Sequence, residues 1–360
     1  MAYLIDAAAS RGCNAHRETK MTTQNMILGV LRNAPRFIVR RMAGTPIEID
    51  GNVMDANIQI VANMAAAQNR PPPQSLQDWR EHGRSFDPLA LPLRAGVRVE
   101  DTEIDGPGGP MKARIYHPRK ASSADPGILF FHQGGFVIMH HLTDDHFCSV
   151  LADECGAKVI TLDYRLCPEA AFPAQIDDGM ALWTHVQDNA AALGIDPRRV
   201  ALAGDSAGGM LSATMSHILR DAGGVQPAAL LLAYPWVSTQ MDDGSAVSCA
   251  DCFPLSTATM HFFNANVFPE DKGLDHPYAN PLHNENLSDL PPTIVGTAGF
   301  DPIRDQGNAY AQKLQHAGNE VTHYCFSSLT HSFLIMGRIS HVAEQACVQL
   351  ARDLAHYLGR

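Results

Sequence analysis

Val200-Ala201-Leu202-Ala203-Gly204-Asp205-Ser206-Ala207-Gly208-Gly209 is the stretch on which the reading of this chain turns. An apolar run leads into Gly-Asp-Ser-Ala-Gly-Gly, and residues 207–220 continue as an amphipathic segment of helical period. A serine pinched between glycines where a strand turns into a helix has the form of a G-x-S-x-G nucleophile elbow. Such a turn strains the backbone, and glycine at 204 and 208 removes side chains that would collide. The Ser206 hydroxyl is therefore expected to stand clear of the fold at the N-terminus of a helix.

Outward from the elbow, apolar runs alternate with helix-period segments from residue 127 onward. Residues 128–131, 158–162, 229–233 and 293–297 read as strands, and 321–326 as extended. Residues 143–155, 174–193, 304–316 and 341–357 read as helices. Continuous apolar strands between amphipathic helices predict an α/β fold, a mostly parallel central sheet with helices on both faces. Residues 97–104 and 111–116 are expected to pair as its antiparallel start, turning through Gly-Pro-Gly-Gly-Pro at 106–110.

Residues 1–95 lack that alternation. Helical segments at 26–41 and 55–68, broken by Pro35 and ended by Pro71-Pro72-Pro73, predict an N-terminal helical cap over the mouth of a sheet domain spanning 96–360. Residues 1–20 read as weakly structured, and Met21 is an alternative start. The stretch 237–291 is longer than a simple crossover and is expected as an insertion contributing to the cap and pocket. Its helical part, 256–268 with Met260, Phe262 and Phe263, serves either packing or an acyl pocket.

Composition narrows the partners. Apolar residues make up 45% and charged residues 18%, as in an ordinary globular enzyme. A net charge of -11 argues against nucleic acid, which demands a basic face. No apolar run is long enough to span a bilayer, and no signal peptide is recognisable, so the cytoplasm is the expected compartment. The 8 cysteines follow no framework spacing. The Cys249/Cys252 C-x-x-C pair has neither a second pair for zinc nor a thioredoxin-like context, and reads as incidental. Arg36, Arg40 and Arg41 form a basic cluster that reads as a solvated helix face rather than a membrane contact.

A serine hydroxyl needs a base to take its proton, and the base needs an orienting carboxylate. In the chain order serine, acid, histidine, Asp301 falls in the loop after the 293–297 strand, and His331 follows the last predicted strand. Asp305, one helical turn later, is the rival acid and is expected to face solvent. His323 reads as a strand residue, His316 as a helix-face residue, and His140, His141 and His146 as solvated loop rather than metal ligands. His132-Gln133-Gly134-Gly135-Phe136 follows the first parallel strand, where backbone N–H groups are expected to meet a developing oxyanion. The Ala207 amide at the helix start is the third expected donor. His132 reads as a loop brace.

With these residues in place, the chain resembles the hormone-sensitive-lipase family of α/β-hydrolases, the bacterial family IV esterases. The carriers are HQGGF at 132–136, DYRLCPE at 163–169, FPA at 172–174, GDSAGG at 204–209, AYP at 233–235, GFDP at 299–302 and HSF at 331–333. They run in the family's order, from about residue 95 to the C-terminus and more weakly into the cap. The resemblance implies an α/β-hydrolase fold, Ser206 as nucleophile, His331 as base and Asp301 as acid. It implies oxyanion donors at Gly134, Gly135 and Ala207, an N-terminal cap, no cofactor and no metal. It further implies a small-molecule ester of short to medium acyl chain as substrate, and a homodimer. An amidase with the same triad is the alternative within catalysis. A ligand receptor on this fold is disfavoured because such receptors typically lose the histidine found at 331. Two positions depart from the family pattern: Gln133 replaces the first of three glycines, and Cys167 stands where alanine is common. Asp163, Arg165 and Glu169 are expected to form an ion-pair cluster holding the loop beside the site.

Overall fold

Ile128 and Phe130 enter one hydrophobic core while Leu129 and Phe131 enter another, so a single strand feeds both faces of the sheet. The computed structural model describes residues 23–68, 73–242, 244–274 and 276–359; the expectations for residues 1–20 and for Met21 lie outside them. The sheet is built from β1 (Arg98–Gly106), β2 (Gly109–His117), β3 (Asp125–Phe131), β4 (Lys158–Leu162), β5 (Ile195–Asp205), β6 (Leu230–Ala233), β7 (Thr293–Phe300) and β8 (Val321–Thr330). Its order is β8-β7-β6-β5-β3-β4-β2-β1. β1 and β2 form the expected antiparallel hairpin and β2 runs antiparallel to β4, while the remaining neighbours are parallel.

Among the described residues and apart from shorter elements, four helices precede the sheet: α1 (Thr23–Asn33), α2 (Arg36–Ala43), α3 (Ala56–Ala67) and α4 (Leu76–Arg84). Interleaved with the strands are α5 (Asp145–Cys155), α6 (Ala174–Asp188), α7 (Ala207–Asp221), α8 (Thr257–Val267), α9 (Arg304–His316) and α10 (His341–Tyr357). α5 and α10 cover the Ile128 face, together with Leu231 and Ile294. α6, α7 and α9 cover the Leu129 face, together with Leu232 and Val295. This is the α/β arrangement expected from the alternation of strands and helices.

Element ends differ where side chains intervene. The helix expected over 174–193 breaks at Asn189, whose amide donates to the His185 carbonyl at 2.8 Å and competes with the backbone. The extended stretch expected at 321–326 continues to Thr330 through a register shift against β7.

The segment before the sheet is fastened to it at several points. Asp55 caps α3 and its own N–H donates to the Ser328 carbonyl at 2.9 Å. Arg304 reaches Asp50 at 2.8 Å, and Arg94 reaches Glu344 at 2.7 Å. Ser75 and Asp78 close a capping box on α4, whose Arg80 donates to the Val137 carbonyl at 3.1 Å. Arg36, Arg40 and Arg41 are exposed on α2, alongside Phe37 and Met42.

Candidate active site

β5, β7 and β8 run parallel, with β6 between β5 and β7, so the loops after Asp205, Phe300 and Thr330 leave the same edge of the sheet. Ser206 follows the first of these with φ 52 and ψ -115, a strained conformation for a residue bearing a Cβ. Its N–H donates to the Ala233 carbonyl at 2.9 Å. A Cβ on Gly204 would lie 2.3 Å from the Gly208 carbonyl oxygen, and one on Gly208 would lie 1.9 Å from that of Phe131. Glycine at these positions lets the first turn of α7 press against the end of β3, where the next loop begins.

Asp301 and His331 occupy the other two strand ends. His331 Nδ1 lies 2.8 Å from Asp301 Oδ2, while Asp301 Oδ1 accepts from the Ile303 N–H at 2.9 Å. Asp301 is wholly buried; Ser206 and His331 are 5% and 4% exposed. Tyr234 bridges the two sides. Its ring lies 4.7 Å from the His331 ring, and its hydroxyl donates to Asp205 Oδ2 at 2.8 Å, next to Ser206. Among the described residues no hydrogen bond joins Ser206 Oγ to the imidazole, a link that often tightens only with substrate in place.

The loop after β3 carries Gly134 at φ 121 and Gly135 at φ 60. The Gly134 carbonyl accepts from the Val137 and Ile138 N–H groups, both at 3.0 Å. The N–H groups of Gly134, Gly135 and Ala207 donate in none of the described turn and loop backbone bonds. His132 stacks on Tyr164 with ring centres 4.2 Å apart, and its Nδ1 lies 2.6 Å from the Gln133 carbonyl. Burial lowers its pKa to about 3, so the ring stays neutral. Ser332 Oγ donates to Gln133 Oε1. Beneath this loop lie two fully buried carboxyls, Asp144 and Asp205, whose pKa values burial raises; that of Asp144 is pushed up to about 8.

α4 and α8 close over the loop. Trp79 stacks on Phe262 with ring centres 4.4 Å apart, and Phe263 lies so close to Gly135 that a Cβ there would meet its ring at 2.2 Å. Phe263 is buried, so the helix expected at 256–268 packs against this loop.

The rivals lie elsewhere. Asp305 accepts from the Ser245 N–H at 2.8 Å and pairs with Arg304 at 2.8 Å. His323 Nε2 lies 2.9 Å from Asn308 Oδ1, and His316 ends α9. His141 pairs with Asp163 at 3.1 Å and His146 with Glu344 at 2.8 Å; His146 is buried in α5 rather than in the solvated loop expected, because the first turn of that helix packs under the chain at Pro92. Cys249 and Cys252 are free and buried, with Cys249 Sγ 3.9 Å from the Gly299 carbonyl.

The loop at 163–169 brings a further correction. Asp163, Arg165 and Glu169 do not pair with one another. Asp163 takes His141, Arg165 takes Asp178 at 2.7 Å and Glu169 takes Arg80 at 2.8 Å. The chain turns at 167–169, where the Ala170 N–H donates to the Leu166 carbonyl, so the three side chains diverge and each fastens the loop to a different neighbour. Burial opposes ionisation of Asp163, but the His141 ring holds its pKa down at about 2. The sequence reading also missed Trp79, Arg80 and the Gln133–Ser332 bond. Only the S-x-x-D capping box at 75–78 marked the start of α4.

A strained serine after β5, a buried imidazole–carboxylate pair and a glycine loop with free amides define a member of the α/β-hydrolase class. Residues 128–335 match the alpha/beta hydrolase fold family, and the chain belongs to it. It is 31% identical to the carboxylic ester hydrolase LipN of Mycobacterium tuberculosis over 355 residues, covering 96% of this chain and 94% of that protein. It is 36% identical to the esterase LipI of the same organism, over 71% of this chain and 81% of that one. Among solved structures, the Pyrobaculum calidifontis esterase is similar with a TM-score of 0.76 and 34% identity, covering 82% of this chain and 97% of that one. A thermostable esterase from Pseudomonas putida gives a TM-score of 0.81 and 27% identity, with 85% and 98% covered.

Proposed function

We propose that this protein is a serine carboxylesterase acting on short- to medium-chain carboxylic esters through an acyl-enzyme. The observation that carries the reading is the buried His331–Asp301 hydrogen bond at the sheet edge that also bears the strained Ser206. Ser206 Oγ attacks the ester carbonyl as His331 Nε2 takes its proton. Asp301 fixes the tautomer with Nδ1 protonated and stabilises the imidazolium. Negative charge on the carbonyl oxygen is met by the N–H groups of Gly134, Gly135 and Ala207, the last aided by the α7 dipole. The intermediate collapses when His331 returns the proton to the departing alcohol. A water activated by the same ring then releases the acid.

Similarity to proteins named as esterases and carboxylic ester hydrolases supports an ester substrate. The aromatic wall of Trp79, Phe262 and Phe263 supports a limit on acyl length. The described residues before 96 act in this reading as the cap on a 96–360 catalytic domain, with 237–291 contributing α8 to the wall. A cytoplasmic location and a homodimer belong to the same proposal; cell fractionation and sedimentation test them. Among the described residues no helix is long and apolar enough to cross a membrane.

The test is hydrolysis of a p-nitrophenyl ester series by wild type and Ser206→Ala, with mass spectrometry of the protein after a p-nitrophenyl phosphonate. Wild type should show a burst and take one phosphonyl group on Ser206, and the variant should do neither while remaining folded. Turnover by Ser206→Ala comparable to wild type would displace the serine and the reading with it.

A further inference from the structure

Gln133 stands where the parts of the site meet. It directly precedes Gly134 and Gly135, which carry no side chains to anchor the loop. Its Oε1 accepts from the hydroxyl of Ser332, the residue after His331, across 199 positions of sequence. Ser332 is itself held at φ 62, a left-handed conformation that a side-chain bond of this kind helps fix. On its other side the Gln133 side chain lies against Asp144, and its backbone N–H faces Asp205, the neighbour of Ser206. Gln133 and Ser332 are both nearly excluded from water, so their bond has little competition from solvent.

We propose that Gln133 is a positioning residue of the hydrolytic site, its carboxamide oxygen holding the His331 loop in register with the loop of Gly134 and Gly135. The proposal rests on the esterase reading above. The group that abstracts the serine proton and the glycine amides of the oxyanion loop arise from opposite sides of β5 in the strand order. A tie between them fixes the distance over which the transition state must be spanned. Losing it should leave substrate binding largely intact and weaken the contacts made only as charge develops.

The test uses the full-length enzyme with p-nitrophenyl butyrate and compares Gln133→Met, Ser332→Ala and the double variant. Thermal melting establishes that each is folded. Each single change should lower kcat by about 10- to 100-fold, as expected for a small misplacement of reacting groups, with KM within about threefold. The double variant should be no worse than the poorer single, because both remove one shared bond. Phosphonylation of Ser206 should slow in parallel with kcat. Gln133→Glu keeps an acceptor oxygen in a setting that favours the protonated acid, and should recover most of the lost kcat at neutral pH. Should Gln133→Met fail to fold, Ser332→Ala and Gln133→Glu carry the comparison. Single variants with unchanged kcat, losses that multiply in the double variant, a loss confined to KM, or a glutamate variant as slow as the methionine one would each overturn the proposal. A wild-type enzyme without esterase activity would instead overturn the reading of the site, so the two failures are distinguishable.

Discussion

Two acidic residues four positions apart, Asp301 and Asp305, face opposite tasks because of where the strand ends. Asp301 stops β7 in a buried loop and meets His331 Nδ1, while Asp305 lies a turn into α9 and spends its oxygens on Ser245 and Arg304. Asp301→Asn should therefore cut kcat on the order of 10⁴-fold, as when the wrong imidazole tautomer is stabilised, and Asp305→Asn far less. Steady-state kinetics on one activated ester decide it; a larger loss at 305 would reverse the assignment. A second residue-scale consequence concerns pH and stability. Burial raises the Asp144 pKa from 3.8 to about 8, so between those values the folded state keeps a proton that the unfolded chain has released. Its contribution to stability is fully present below about pH 4 and is lost as pH rises toward 8. His132 works in the other direction. Its pKa, lowered by burial from 6.5 to about 3, means stability is lost as pH falls through that range. Asp144→Asn should flatten the alkaline side of the stability profile and leave the acid side in place. Thermal melts from pH 4 to 9 test this, and an unchanged alkaline slope would remove Asp144 as its source.

At the scale of elements, the wall of the site comes from α4 and α8, which lie far apart in the chain and meet through Trp79, Phe262 and Phe263. Phe263 sits on Gly135, so its ring closes the space above one expected oxyanion donor. Phe263→Ala should open that space and shift preference toward longer acyl chains. The ratio of kcat/KM for decanoate over butyrate esters should rise by about 10-fold or more, since each added methylene gains a contact surface. A fall in all kcat/KM values without a change in ratio would make the ring a packing residue only. The difference between what was legible and what was not follows from the same geometry. β3 and β4 were legible because strands buried on both faces carry near-continuous apolar runs, and the elbow because its glycines are required by close backbone approach. The wall was half legible: the aromatic residues of α8 stood out, but Trp79 lies in a strongly polar helix whose partner no local pattern reveals. The loop at 163–169 was not legible because nearness in sequence is not nearness of side chains: the turn at 167–169 sends Asp163, Arg165 and Glu169 to His141, Asp178 and Arg80.

For the whole molecule, the question is whether the segment before the sheet and the sheet itself behave as one cooperative unit. The sequence shows a loss of strand alternation before about residue 95, but the ties between that segment and the sheet leave no local signal, because they join charges far apart in sequence. Arg304 is the most connected of them. Its guanidinium donates to the Gly299 carbonyl at 2.9 Å, to Asp50 at 2.8 Å and to its neighbour Asp305, so one buried cation joins the N-terminal segment to the loop that presents Asp301. Removing it leaves the Gly299 carbonyl without that charge-assisted donor and leaves Asp50 held by the Ser248 hydroxyl alone. Arg304→Ala should lower the melting midpoint by several degrees and also reduce kcat, because the strand end that leads into Asp301 loses the bond to the Gly299 carbonyl. Arg304→Lys restores charge but not the planar fork that serves three acceptors, and should fall between alanine and wild type. Asp50→Asn separates the two effects, since it loosens only the N-terminal tie: it should lower the midpoint while leaving kcat nearly unchanged. Calorimetry alongside kinetics reads both quantities. A wild type that melts in two well-separated steps, or an Arg304→Ala variant whose kcat matches wild type, would show that the N-terminal segment and the Asp301 loop are not joined through this side chain.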